Sequence, residues 1–138
     1  MRYGFVMLTV SVTLASALAV RAAEKPSPEH VKAMKDLFDV VQAMTKPDAT
    51  THVELATKSS ATAKDAFAIV KKYWDLGGDV EAKKLADAGV KAAGELGISA
   101  YMTSADGIAA AVKDLRATCA PCHMAHRTQL DDKSYEIK

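Results

Sequence analysis

Two cysteines and a histidine near the C-terminus are the residues of this chain with the most specific chemistry. Cys119, Cys122 and His123 form a C-x-x-C-H motif, and the 138-residue sequence contains no other cysteine. On a helical turn this spacing places both thiols on one face, and the next residue can direct its imidazole at a metal held beside them. The motif is the signature of c-type haem attachment. The sequence therefore predicts one haem c, bound covalently through both thiols, with His123 as an iron ligand.

Three other interpretations of this motif stay open at the level of the sequence. A thioredoxin-like pair would need a strand leading into a helix before Cys119, and the sequence predicts no strand there. A zinc site could use both cysteines with His123 and His126, although structural zinc sites usually take their second ligand pair from a distant segment. A disulfide would close a very short loop and constrain the unfolded chain little.

The N-terminal residues have the features of an export signal. Arg2 supplies a positive charge, residues 4–20 are apolar or small, and Ala22 precedes a suitable cleavage site. An uncleaved membrane anchor is the alternative, but the apolar run is slightly short for a bilayer. We expect a signal peptide at 1–22, a single mature domain at 23–138 and a periplasmic location.

Charge and composition exclude several classes of function. Removal of the first 22 residues takes away two arginines and no acid, which leaves 16 basic and 17 acidic side chains. This near-balance provides no basic stripe for phosphates, so we expect no nucleic-acid partner and no membrane association after signal cleavage. The sequence also offers no nucleophile–base pair and no carboxylate pair for catalysis, so we do not expect an enzyme.

Apolar residues recur at spacings of three and four along four segments, which predicts four helices. We expect these helices at residues 28–45, 52–76 and 80–96, and from about residue 104 through the C-x-x-C-H motif. The expected start and stop signals are Ser27, a Thr51–Glu54 capping box, Gly77–Gly78, Asp79 and Gly97. Short connections between four helices predict an all-α fold, an antiparallel four-helix bundle with the haem on its C-terminal helix.

The end of the chain departs from regular helical patterning. Pro121 lies inside the last predicted helix, where it removes a backbone donor and favours a kink. The segment after Arg127 is polar, and we expect it to fray. His30 and His52 lie near helix starts and are expected to be solvated, whereas Trp74 is expected in the core.

The motif's position on the last helix of a predicted bundle resembles the class II cytochromes c, the cytochrome c prime family. The resemblance covers the mature chain in helix order and is specific at the motif, where Arg127 matches the family pattern. His126 stands where the family usually has phenylalanine or tyrosine. The resemblance implies that Arg127 pairs with a haem propionate and that the partners are redox proteins. Members of the family often dimerise through their first two helices, so the resemblance also implies that a homodimer is possible.

The first helix in this family carries the residue that faces the open side of the iron. The segment from Lys32 to Asp36 presents Met34 at the place where low-spin members have a methionine ligand. The resemblance thus implies Met34 as the distal ligand and electron transfer as the function. A core role is the alternative for Met34, because methionine is a common gap-filler. An open distal site would instead imply a five-coordinate cytochrome c prime that binds NO or CO.

Overall fold

A computed structural model describes residues 24–138, so the predicted signal peptide at 1–22 lies outside the described residues. Its helices are α1 (Pro28–Met44), α2 (Val53–Gly77), α3 (Val80–Tyr101), α4 (Ala105–Ala117) and a shorter α5 (Cys119–His126). A 3-10 turn, Ala49–Thr51, connects α1 to α2, and a small hairpin of β1 (Arg127–Gln129) and β2 (Tyr135–Ile137) ends the chain. None of the helices described in 24–138 is both long and apolar enough to cross a membrane.

The four long helices pack in chain order, α1 on α2, α2 on α3 and α3 on α4. The largest side chains fully buried between them are Leu96, Ile108 and Leu115, and most of the remaining core consists of alanine. Small core residues let helix backbones approach closely, which suits this alanine-rich sequence. The prediction of a mainly α-helical fold is confirmed, and the packing order is the one that a four-helix bundle uses.

Side-chain caps and one glycine set most of the helix ends. Ser27, Asp79 and Ser104 each accept a hydrogen bond from the backbone N–H three residues later, at 3.2, 2.8 and 3.1 Å. Gly78 ends α2 with a φ of 73°, a conformation that glycine adopts without strain. The predicted Thr51 capping box is wrong, because the Thr51 hydroxyl donates within the preceding 3-10 turn and no side chain caps α2.

Gly97 does not end α3, contrary to the prediction, since the helix continues to Tyr101. A Cβ at position 97 would lie only 2.6 Å from the Ser60 hydroxyl oxygen on α2. That hydroxyl in turn donates to the Ala93 carbonyl at 2.7 Å. Gly97 therefore serves close packing between α2 and α3 and keeps a helical backbone.

The kink predicted from Pro121 is present as a break in the last helix at Thr118, three residues before the proline. In one continuous helix, the ring of Pro121 would collide with the Ala117 carbonyl four residues earlier. The chain avoids this collision by ending α4 at Ala117 and starting α5 at Cys119. The Thr118 hydroxyl and N–H both donate to the Leu115 carbonyl, at 2.8 and 3.3 Å, which closes the break.

The C-terminal tail is ordered as a hairpin, so the prediction that it frays is wrong. β1 and β2 pair with Arg127 opposite Ile137. Ile137 is only 4% exposed, and it exchanges two backbone hydrogen bonds with Glu24, at 3.0 and 2.9 Å. Burial of Ile137 and pairing with the segment before α1 hold the hairpin against the helices.

Candidate functional site

An apolar cavity of about 270 Å³ lies between α1 and α5, and residues of α2 and α3 contribute to its wall. Cys119, Cys122 and His123 line this cavity together with Met34 from α1. Most of the remaining wall is aliphatic or aromatic, and includes Leu37, Phe38, Val41, Phe67, Val70, Leu85 and Ala86. The structure thus brings together four of the five residues that the sequence singled out, although α1 and α5 are at opposite ends of the chain.

Cys119 and Cys122 do not form a disulfide with each other, and both are partly buried. Burial raises the pKa of the Cys119 thiol. Burial, with the nearby Cys119 and Asp79, raises the pKa of Cys122 to about 11. Both side chains are therefore protonated thiols at neutral pH, unlike the thiolate of a thioredoxin-like pair. Because helix α4 also leads into Cys119, the structure does not favour the thioredoxin-like interpretation.

The imidazole of His123 is suited to bind a metal. Its pKa is lowered by partial burial of the ring and by the positive charge of Arg127. The ring is therefore neutral at pH 7, and a neutral imidazole offers a nitrogen lone pair to a metal ion. The residue is exposed on one side and lines the apolar cavity on the other.

His30 is buried, contrary to the prediction that it is solvated. It is 5% exposed, and its ring packs edge-on against Tyr73 with 5.0 Å between centroids. Burial and the neighbouring His123 lower the pKa of His30. The α1 stripe alone does not reveal this burial, because it depends on the end of α2. His52 is exposed, as predicted, with its Nε2 3.1 Å from the Asp48 carboxylate.

A smaller cavity of about 50 Å³ adjoins the apolar one, and four residues line both: Met34, Val70, Cys122 and His123. We call it the polar cavity, because its further wall carries the side chains of His30, Trp74, His126, Arg127 and Tyr135. Arg127, the fifth predicted site residue, is placed here and not in the apolar cavity. Its guanidinium lies 4.4 Å from the centre of the Tyr135 ring and donates to Gln129 at 2.8 Å.

Trp74 on α2 and Tyr135 on β2 both line the polar cavity. Trp74 is 3% exposed, in agreement with its predicted core position, and its ring lies 4.8 Å from that of His126. His126 places its Nδ1 3.7 Å from the Asp79 carboxylate.

Tyr135 was not predicted as a site residue from the sequence, because only the hairpin brings it close to the helices. The alternation of Tyr135 and Ile137 is the one signal that could have indicated a strand.

The residues that line the two cavities fit a haem. Two thiols adjoin an imidazole, a thioether lies on another helix, and the surrounding wall is apolar. The cavity volume is close to the lower end of ligand pockets, ~300 Å³. Phe38, at 61% exposure, leaves the edge of the cavity open to solvent. Within residues 24–138, no three His, Cys, Asp or Glu side chains are grouped to hold a metal ion. A haem iron does not need such a group, because the porphyrin supplies four ligands.

Comparison of the chain with protein-family models, curated proteins and solved structures found no match. The resemblance to the cytochrome c prime family therefore rests on the C-x-x-C-H motif, on Met34 and on the order of the helices.

Proposed function

We propose that this protein is an exported c-type cytochrome that transfers single electrons in the periplasm. Cys119 and Cys122 would attach one haem, and His123 and Met34 would bind its iron. The observation that carries the proposal is that Met34 and the C-x-x-C-H motif, although far apart in the sequence, line one apolar cavity. Other redox proteins are the proposed partners.

Cys119 and Cys122 are protonated thiols, the form that reacts in haem attachment. In attachment, the S–H group of each cysteine would add across one vinyl group: a C–S bond and a C–H bond would form, the S–H bond would break, and the C=C double bond would become a single bond. No electrons are gained or lost in this addition. The raised pKa values keep Cys119 and Cys122 protonated until a ligation system acts on them.

His123, Met34 and the apolar wall of the cavity suit the site to electron transfer. When bound, a haem supplies a one-electron ferric/ferrous couple. His123 offers a neutral imidazole nitrogen, and the thioether of Met34 favours the ferrous form and raises the reduction potential. Leu37, Phe67 and Val70 keep water away from the site, which lowers the reorganisation that accompanies a change of charge. If both His123 and Met34 bind the iron, the protein offers it no site for a substrate, so we propose no catalytic activity.

A five-coordinate, gas-binding role is the second candidate function. Leu37 and Phe38 line the same cavity as Met34, and either apolar side chain could cover the iron if Met34 packs in the wall. In that arrangement NO or CO would bind directly to the open position. The two candidate functions therefore differ in whether the thioether of Met34 binds the iron or packs in the cavity wall.

Optical spectra of the Met34→Ala variant distinguish these functions. We expect a low-spin spectrum for the wild-type protein, with slow CO binding, and a high-spin, CO-binding spectrum for the variant. Met44→Ala is the matched control, because Met44 is a buried methionine of α1 that does not line either cavity. A wild-type protein that is already high-spin and binds CO at once would contradict the electron-transfer proposal and support the gas-binding one.

A further inference from the structure

Buried polar groups without hydrogen-bond partners are concentrated at one place. Within residues 24–138, four buried side-chain atoms make no hydrogen bond: His30 Nδ1, Trp74 Nε1, His126 Nε2 and the Tyr135 hydroxyl. All four residues line the polar cavity. Buried polar groups are almost always paired, because an unpaired group loses its hydration without compensation. Four such atoms around one cavity indicate that it binds a polar group.

The side chains that line the polar cavity favour a ligand group that accepts hydrogen bonds and carries a negative charge. The Trp74 N–H can only donate, and the Tyr135 O–H is a good donor. Arg127 lines the same cavity and carries a permanent positive charge. Asp79 faces the Nδ1 of His126, which leaves the buried Nε2 without a partner. A carboxylate, which only accepts hydrogen bonds, complements these donors.

The position of the polar cavity connects it with the proposed haem site. Cys122 and His123 line both cavities, whereas Cys119 lines only the apolar one. The polar cavity thus lies on the Cys122 side of the attachment motif. Its volume of about 50 Å³ has room for a single carboxylate group but not for a porphyrin. A haem has an apolar ring that carries two propionate carboxylates, which matches an apolar cavity next to a small polar one.

We propose that the polar cavity binds one haem propionate, with Trp74 and Tyr135 as donors to its carboxylate and His30 and His126 beside it. Arg127, for which the family resemblance already implies a propionate, would be the third donor. This inference rests on the proposed function, since it needs a bound haem. It gives the C-terminal hairpin a role, because Tyr135 on β2 and Arg127 on β1 bring two of the donors. The other propionate would then remain outside this cavity.

The test uses the holoprotein with ¹³C at both propionate carboxyl carbons, studied by NMR as the diamagnetic ferrous–CO or low-spin ferrous form. Trp74→Phe and Tyr135→Phe each remove a donor and keep an aromatic ring. Tyr101→Phe is the control, because Tyr101 is 89% exposed. We expect one of the two carboxyl signals to move in both variants and neither to move in the control. We also expect the ferrous-to-ferric ratio at a fixed applied potential to fall about threefold, because the propionate charge is less neutralised.

The wild-type protein provides a second measurement that does not depend on the folding of a variant. A soluble gadolinium complex should broaden one carboxyl signal strongly and leave the other sharp. Equal broadening of both signals, or unchanged signals in both variants, would overturn the inference while the haem remains bound. The intact mass of each sample separates this outcome from failure of the proposed function. A wild-type protein without haem would overturn both.

Discussion

Gly89 on α3 packs against the ring of Phe67 on α2, and this contact positions one wall of the apolar cavity. A Cβ at position 89 would overlap the Phe67 ring, so Gly89→Ala must displace either the ring or the helix. Phe67 is 5% exposed and lines the cavity, so the ring has space to move only toward the proposed haem. Gly94→Ala is a matched control in the same helix, because a Cβ there would meet no atom within 4 Å.

The two substitutions should change stability in opposite directions. Replacement of glycine by alanine inside a helix stabilises it by about 0.5–1 kcal/mol, and Gly94→Ala should show this gain alone. Overpacking of a core costs about 1–3 kcal/mol, which outweighs that gain at position 89. We therefore expect Gly89→Ala to be destabilised by about 1–2 kcal/mol, with a melting temperature lower by roughly 4–8 °C.

Urea unfolding followed by circular dichroism measures both variants directly. The Gly89→Ala protein should unfold at a lower urea concentration than the wild type, and Gly94→Ala at a higher one. Haem content should also fall in Gly89→Ala, since its Phe67 ring enters the cavity. Equal stabilisation by both substitutions would show that α2 and α3 are not in close contact at Phe67 and would refute this description of the cavity wall.

Three further predictions concern parts of the fold away from the haem site. The pKa of Asp87 is lowered from its ordinary value of 3.8 by its two lysine partners, so its stabilising effect is fully present above that value and declines as the pH falls through the lowered pKa. Asp87→Asn should therefore lower the melting temperature more at pH 7 than at pH 3, whereas Asp114→Asn should have no effect; equal loss at both pH values would contradict this. Ile137→Ala should destabilise the protein by about 2 kcal/mol in urea unfolding, in contrast to the exposed Val80→Ala, and no loss would mean that the hairpin is not packed. Ser27→Ala should cost about 1 kcal/mol in the same assay through loss of the α1 cap, and an unchanged midpoint would argue against that cap.

Helix positions could be predicted from the sequence wherever the signals are local. The Ser27 cap, the apolar spacing along α1 and the Gly78 turn depend on neighbouring residues, and the structure agrees with each. The prediction for Gly97 was wrong because the sequence alone does not distinguish a glycine that ends a helix from a glycine that allows a neighbouring helix to pack closely. Only the proximity of Ser60 shows which role it has.

Part of the candidate site could also be predicted, because some of its signals are local in the sequence. The C-x-x-C-H motif is local, and Met34 was singled out from a family pattern on α1. The polar cavity could not be predicted, since it depends on β2 folding back so that Tyr135 lines the same cavity as Trp74 and the buried His30. Three-residue strands carry too short an alternation to be recognised, and the Asp132 turn that joins them was not identified as a hairpin signal.

The mass of the intact protein tests the central claim most directly. The protein would be exported in a host that has haem-ligation machinery, purified, and analysed by mass spectrometry under denaturing conditions, where only covalent haem remains bound. We predict the mass of the mature chain plus one haem, and its loss in a Cys119→Ser, Cys122→Ser double variant. A wild-type mass equal to that of the polypeptide alone, with free thiols or a disulfide, would contradict the proposal that this protein is a c-type cytochrome.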